Sequence, residues 1–187
     1  MAFDIITVQP TINATAYSVR DVFFDMTAFN LPARACKLVN AFIEVPDTGL
    51  ADGETLSVLF FQDNAGGNLA SGGINTTADI SIANFALNKY IGTIGMFCEE
   101  NQQHPSAIDE MGFFHGTSIV SSVGLDSGDA ATRRDQSLSD VSLILKANKD
   151  VSTSDHRYQI FVAAVTNIGT IDLSSATSCK LHLHVEY

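Results

Sequence analysis

The sequence predicts an all-β protein: a single-domain β-sandwich or jelly roll of about nine or ten strands with one short helical segment. Short apolar runs recur along the whole 187-residue chain, and clusters of turn-forming residues separate them. Helical periodicity is almost absent. No tandem repeat, proline-rich linker or change of composition divides the chain, so we expect one domain over residues 1–187.

The first half of the chain carries the clearest strand patterns. Apolar runs at 3–8 and 19–24 come first, and residues 36–45 then alternate most regularly. One face of this third run is wholly apolar and is predicted to point into the core: Val39, Ala41, Ile43 and Val45. The opposite face carries Leu38, Asn40, Phe42 and Glu44. Residues 55–61 are apolar on both faces at their end, as in a strand buried on both sides.

The second half is less regular. A glycine-rich loop precedes Asp79 to Leu87, which partly fits a short helix that Asp79 could cap. Residues 90–97 follow as a strand in which Gly92 and Gly95 predict a bulge or a close backbone approach. Residues 99–140 form a predicted insertion or long loop region, with a candidate strand at 117–123. The closing strands are expected at 141–147, 158–165 and 180–186.

The charge of the chain argues against two classes of partner. Lys and Arg number 10 against 21 Asp and Glu, which gives a net charge of −11. Direct nucleic-acid binding needs a positive surface, and so does attraction to an anionic membrane. No apolar run reaches the length of about 18 residues that a membrane-spanning helix needs. The N-terminus lacks the basic and apolar regions of a signal peptide.

Three isolated cysteines, Cys36, Cys98 and Cys179, predict neither a disulfide framework nor a CxxC metal site. Cys36 and Cys179 lie in apolar strand patterns and are interpreted as buried free thiols. Cys98 precedes two glutamates, which disfavour a reactive thiolate. These features indicate maturation in a reducing compartment.

Two patterns could hold a metal ion. His182 and His184 share one strand face, and Glu186 could complete a set of ligands. The favoured interpretation is an outward polar face, with Leu181, Leu183 and Val185 facing the core. Asp47, Asp52 and Glu54 form an oxygen-rich loop that could bind Ca²⁺, although solvated turn acids are the favoured interpretation.

The sequence offers no catalytic constellation. A Gly-x-Ser-x-Gly motif and a phosphate-binding loop are both absent from it. We therefore expect a protein that is not an enzyme, with no catalytic residues, metal or cofactor.

Apolar residues at two places are candidates for contacts between subunits. Residues 1–8 could form an N-terminal arm that adds a strand to a neighbour's sheet through Phe3, Ile5 and Ile6. Deleting this arm is expected to weaken assembly more than folding. The adjacent aromatic residues Phe113 and Phe114, in the irregular region, are candidate interface anchors.

Several segments resemble a group of virion structural proteins from tailed bacteriophages. The element that opens the domain in that group corresponds here to Ile12, Asn13, Ala16, Tyr17, Asp21 and Val22. Runs at 37–45, 56–63 and 141–172, with its Gly169-Thr170 turn, resemble later parts of the group's layout. The likeness covers about two thirds of the chain, and residues 99–140 depart from it.

The resemblance implies a capsid decoration or cement protein that stabilises a phage head through repeated symmetric contacts. Such proteins commonly form symmetric homo-oligomers, often trimers, that contact the major capsid protein or other virion proteins. The chain is then expected on the capsid surface of the virion after synthesis in the host cytoplasm. The alternative is a receptor- or carbohydrate-binding head of a fibre or another virion appendage, since jelly rolls also serve this role.

Overall fold

The all-β prediction is confirmed by the computed structural model, which describes residues 1–47, 54–70, 72–98, 112–120, 135–137, 143–147, 158–168 and 171–187. For 112–120, 135–137 and Ile168 the backbone alone is described. The strands are β1 (Phe3–Val8), β2 (Ala16–Tyr17), β3 (Val22–Asn30), β4 (Ala35–Val45), β5 (Thr55–Phe61), β6 (Tyr90–Cys98), β7 (Gly112–Val120), β8 (Asp135–Ser137), β9 (Leu143–Lys146), β10 (Gln159–Ile168), β11 (Ile171–Asp172) and β12 (Lys180–Glu186). One helix, α1 (Ile82–Asn88), lies between β5 and β6.

Ten strands form one antiparallel sheet in the order β1-β12-β4-β7-β6-β5-β10-β3, with β8 paired to β7 and β9 paired to β4. A second sheet consists of β11 and β2. The chain therefore begins and ends at the same side of the large sheet, because β1 pairs with β12. The sandwich-like, antiparallel character is confirmed, while the specific jelly-roll connectivity stays a prediction.

Side chains from both halves of the large sheet meet in one main core. Phe24, Phe60 and Val162 come from the β3–β5–β10 half, and Ile43 and Leu181 come from the β4–β12 half. All five are buried. Strands that are far apart in the sheet order therefore share one core, as in the packed layers of a sandwich.

A second, smaller apolar cluster covers the other face of β5 and β10. Phe61 and Leu59 of β5 pack there with Phe85 of α1 and with Leu69. Phe60 points into the main core while Phe61 points into this cluster, and both have no exposed surface. The prediction that β5 is buried on both sides is therefore confirmed.

The face assignment for β4 is correct for one half of the strand and wrong for the other. Ala41, Ile43 and Val45 are buried as predicted. However, Val39 is 40% exposed and Leu38 is fully buried. The register between β12 and β4 shifts between the pairs His184–Asn40 and Val185–Leu38, so Val39 is the extra residue of a β-bulge. Such a bulge reverses which alternate residues face the core, and simple alternation cannot reveal it.

The short helix lies close to its predicted place but has a different cap. It runs from Ile82 to Asn88, and the Ser81 hydroxyl accepts the Asn84 backbone N–H at 3.2 Å. Asp79 is instead two residues outside the cap, where its carboxylate accepts the Ser81 N–H at 3.0 Å. Ser81 competes better because it sits directly before the first helical residue.

Part of the predicted insertion belongs to the large sheet. β7 and β8 come from residues 99–140, and β7 lies between β4 and β6. This strand begins at Gly112, five residues before the predicted Thr117. Residues 121–123 of the predicted strand, and the remainder of 99–140 outside β7 and β8, lie outside the described residues.

Candidate protein-contact surface

The N-terminal segment is not a free arm. Phe3 to Val8 pairs residue by residue with β12, from Phe3 opposite Glu186 to Val8 opposite Leu181, without a bulge. Val8 is buried, and Ile6 packs against the main core. A deletion of residues 1–8 therefore removes core contacts and opens the edge of β12. It would affect folding directly, so it cannot separate assembly from folding as expected from the sequence.

Of the three predicted contact residues whose side chains are described, two lie at the surface. Phe3 is 71% exposed and Ile5 is 59% exposed, although both are large and apolar. Ile6 points to the opposite face, because neighbouring strand residues alternate. The backbone places Phe113 opposite Glu44 and Phe114 opposite Ile43, and their side chains lie outside the described residues.

The exposed side of β1, β12 and β4, which we call the outer face, is built by residues in register. Thr7, His182 and Phe42 are opposite one another across three strands, and Ile5, His184 and Asn40 form the next row. The predicted alternation of β12 is confirmed: Leu181, Leu183 and Val185 are buried, while His182 and His184 are half-buried on the outer face.

His182 is held by three neighbours on the outer face. Its ring stacks on Phe42 with a centroid distance of 4.4 Å. Nδ1 lies 3.2 Å from the Thr7 hydroxyl oxygen, and Nε2 lies 3.3 Å from Oε2 of Glu44. Glu186, the predicted third metal ligand, pairs instead with Lys37 at 3.9 Å. Within the described part of the chain, no three His, Cys, Asp or Glu side chains form a group that could hold a metal ion.

Glu44 links two side chains of β12, Lys180 and His182. Its carboxylate lies 3.0 Å from Nζ of Lys180 and 3.3 Å from the ring of His182. The hydrogen bond from Lys180, assisted by that from His182, lowers the pKa of Glu44. A carboxylate with a lowered pKa stabilises the fold above its ordinary pKa and loses that contribution as the pH falls. The outer face is therefore ordered around neutral pH by paired charges.

The interpretation of Asp47 as a solvated turn acid is wrong. It is 3% exposed, and its Oδ2 accepts the backbone N–H groups of Ser174, Ser175 and Ala176 at 3.0, 2.8 and 2.9 Å. Both serine hydroxyls also donate to this carboxylate. Three successive N–H groups around one carboxylate form a nest for a negative charge. Asp47 thus joins the end of β4 to the loop before β12. Glu54 is likewise buried, and Asp52 lies outside the described residues.

A shallow depression of about 470 Å³ lies beside α1. Phe85 and Tyr90 stack at its base with a centroid distance of 5.0 Å, and Ile82 at its rim is 89% exposed. Lys89 lines the same depression and pairs with Asp63 at 2.8 Å. The depression combines apolar and aromatic side chains with a charged pair, and no local sequence pattern indicates it.

All three cysteines are buried and form no disulfide, which confirms the interpretation of Cys36 and Cys179 as buried thiols and extends burial to Cys98. Burial raises the pKa of Cys179 to about 12 and also raises the pKa of Cys36. A thiol that stays protonated at neutral pH is a poor nucleophile. These groups therefore contribute to packing.

Comparison with protein-family models and with curated proteins finds no match for this chain. Among the described residues, no helix is long and apolar enough to span a membrane.

Proposed function

We propose that this chain is a structural protein that works by packing against other protein copies. The observation that carries the proposal is the edge strand β1, which exposes Phe3 and Ile5 beside an edge that no strand of the described residues pairs with. Large exposed apolar side chains at an open edge are typical of contact sites, because both main-chain pairing and apolar burial are available there.

The specific form of the proposal is a capsid decoration or cement protein of a tailed bacteriophage, located on the capsid surface. Support comes from the resemblance of residues 7–29 to that group of phage proteins. Several of the shared residues form a hydrogen-bonded corner of the chain. Tyr17 is fully buried and its hydroxyl binds the backbone of Asn13. Asp21 accepts the Ser18 N–H at 2.8 Å. The partners are then further copies, as in a trimer, and the major capsid protein or other virion proteins.

We also propose that the chain is not an enzyme. Thr7, His182 and Glu44 stand in the order hydroxyl, imidazole and carboxylate, which is the order of a hydrolase triad. Yet Thr7 lies in an extended strand, where successive backbone N–H groups point in alternate directions and do not converge on one oxyanion. Glu44 is also shared with Lys180. Hydrolysis of an activated ester should therefore be equal for the wild type and Thr7→Val; a loss of hydrolysis in the variant would contradict this.

The alternative is a receptor- or carbohydrate-binding head of a virion appendage. The depression beside α1 favours it, because stacked aromatic rings next to a charged pair suit the faces and hydroxyls of a sugar. Glycan-array binding that Phe85→Ala abolishes, and that the outer-face substitution Ile5→Ser leaves intact, would support this alternative.

The proposed role is tested by fractionating the native source of the chain by size and density. A decoration protein sediments with the particles in a copy number that is a multiple of the shell symmetry. Quantitative mass spectrometry of the particle fraction measures this number. A chain that remains in the low-mass fractions and is absent from particles would overturn the proposal.

A further inference from the structure

The two ends of the ten-stranded sheet differ in how their edges are treated. At the β3 end, the segment after β5 covers the outer edge: the Val22 N–H donates to the Thr76 carbonyl at 2.9 Å, and the Asn75 N–H donates to the Val22 carbonyl at 2.9 Å. The Asp25 carboxylate also accepts the Leu69 N–H at 2.8 Å. Two register shifts further distort the pairing of β3 with β10. These are the devices by which proteins close a sheet edge.

The β1 end is open. Ala2 and Tyr187 exchange backbone hydrogen bonds of 2.9 and 3.0 Å. This pair shows which opposite residues of β1 and β12 are hydrogen-bonded to each other and which are not. Because hydrogen-bonded pairs alternate along antiparallel strands, Phe3, Ile5 and Thr7 direct their backbone groups away from β12. In the described part of the chain, no strand pairs with this edge. The Ile5 N–H alone has a partner there, since the Asp4 carboxylate accepts it at 2.8 Å.

Apart from the Asp4 carboxylate, β1 has none of the features that usually keep an edge strand from pairing with another chain. Its sequence, Phe-Asp-Ile-Ile-Thr-Val, contains neither lysine nor proline, and no bulge interrupts its pairing. An extended edge of this kind, apolar at most of its positions, is a template for another strand. The chain itself covers the start of β3 at one end of the sheet, whereas at the other end no strand of the described residues covers β1, which leaves room for a partner strand.

We propose that the partner is a second copy of this chain, whose β1 pairs antiparallel with β1 around a two-fold axis at Ile5. The inference rests on the proposed function and names the partner and register of the same contact surface. In this register Ile5 faces Ile5 of the second copy, and Phe3 faces Thr7 of the second copy. All three outward residues of each strand then form hydrogen-bonded pairs.

Neighbouring registers are less favourable. Centring the axis on Asp4 places two carboxylates directly opposite each other, and like charges in that position destabilise a strand pair. It also leaves Thr7 facing Met1 of the second copy. Centring the axis on Ile6 leaves Phe3 facing residue 9, beyond the end of the strand. With the axis at Ile5, Asp4 faces the apolar Ile6 of the second copy.

The pairing is expected to be weak between two isolated copies. A contact of five residues per strand is smaller than a stable protein interface, so it becomes effective only when many copies are held together by other contacts. Asp4 adds to this weakness, because its carboxylate competes with the carbonyl of the second copy for the Ile5 N–H. An open edge that pairs weakly suits a protein that stays soluble until it assembles.

The register is tested by cysteine substitutions in the full chain under mild oxidation. Opposite residues in a hydrogen-bonded pair have Cα atoms about 5.5 Å apart, within disulfide range. Ile5→Cys should therefore cross-link with itself at least about tenfold faster than Phe3→Cys or Asp4→Cys. A mixture of Phe3→Cys and Thr7→Cys should cross-link as Ile5→Cys does. The three native cysteines are buried and do not interfere.

Charge substitutions give an independent measurement by sedimentation at high protein concentration. Ile5→Lys places two ammonium groups at the axis and should weaken self-association about tenfold or more, whereas Ile144→Lys, at a 50% exposed residue of β9, should not. Asp4→Ala removes the competitor for the Ile5 N–H and should strengthen self-association. Slow cross-linking of Ile5→Cys, together with an unchanged Ile5→Lys, overturns this pairing. If the Ile5 variants still enter particles at full copy number in that case, the β1–β1 pairing is wrong but the proposed structural function stands.

Discussion

The hydroxyl of Tyr17 makes two hydrogen bonds to one residue: it accepts the backbone N–H of Asn13 at 2.6 Å and donates to the Asn13 carbonyl at 3.0 Å. Tyr17 is fully buried, so the ring anchors the corner between β1 and β3 in the core while the hydroxyl fixes the backbone above it. The geometry gives this tyrosine, one of the residues behind the proposed likeness to phage virion proteins, a structural role.

Replacing Tyr17 with phenylalanine keeps the ring and removes both hydrogen bonds. We expect the free energy of unfolding to fall by about 1–3 kcal/mol, because each lost bond costs about 1 kcal/mol and the Asn13 groups lose their partner. Urea denaturation measures the difference, with Tyr187→Phe at a 44% exposed tyrosine as the control. Equal midpoints for the two variants would contradict the role of the corner.

The same variant changes the response to alkaline pH. Burial raises the pKa of Tyr17 to about 12, so the unfolded chain loses this proton from about pH 10 while the folded chain keeps it. Stability therefore falls as the pH rises from 10 towards 12. Tyr90 and Cys179 add to the fall in every variant, because their pKa values are raised as well. Tyr17→Phe should show a shallower loss than the wild type; an identical slope would contradict the burial of the hydroxyl.

Asp47 gives a second stability test. Asp47→Ala leaves three backbone N–H groups and two hydroxyls of the loop before β12 without their acceptor. We expect a loss of about 3 kcal/mol or more, since hydrogen bonds to a charged group contribute about 1.5–3 kcal/mol. Asp172→Ala, at an exposed acid of β11, should change the free energy of unfolding by less than about 0.5 kcal/mol. A calorimetric comparison in which both variants melt together would show that Asp47 is not a structural acceptor.

The bulge in β4 predicts opposite outcomes at adjacent residues. Leu38→Ala removes a fully buried side chain and should cost about 2–5 kcal/mol. Val39→Ala, at a 40% exposed residue, should cost less than about 1 kcal/mol. The alternation read from the sequence predicts the reverse order, so chemical denaturation of the two variants separates the two assignments directly.

Gly92 of β6 provides a test of close packing. A Cβ atom built at Gly92 would lie 2.5 Å from Cδ1 of Leu143, which is shorter than any ordinary contact. Gly92→Ala should cost about 1–3 kcal/mol through overpacking. Leu143→Ala removes the obstruction, so the double variant should lose less stability than the two single losses added together. Strictly additive losses in a double-mutant cycle would show that Gly92 and Leu143 do not compete for space.

Local sequence patterns predicted the positions of the strands better than the contacts between them. The strands at 55–61 and 180–186 match residue for residue, because uninterrupted apolar runs and strict alternation are local signals. The reversal at Val39 was not predictable in this way, since a bulge depends on the partner strand. The close approach at Gly92 was anticipated, but its partner Leu143 was not.

For the candidate contact surface as well, some residues could be predicted from local patterns, whereas their contacts could not. The N-terminal apolar run singles out Phe3 and Ile5, and the alternation of residues 36–45 places Phe42 and Glu44 on one face of their strand. Their meeting with His182 depends on β12, which is 138 residues from Glu44 along the chain. Asp47 was misinterpreted for the same reason, because its donors lie 127 to 129 residues away. Tertiary pairing therefore decides the site, and the sequence alone does not contain that information in a local form.

The most direct test of a role in packing against other copies is electron cryo-microscopy of particles purified from the native source of this chain. The account predicts repeated copies on the shell surface, with β1 of each copy in contact with a neighbouring protein and its edge backbone groups paired. The opposite result is a particle in which the chain is missing or occurs without symmetry-related neighbours, with Phe3 and Ile5 facing solvent. That result would contradict the account of this protein as a structural component.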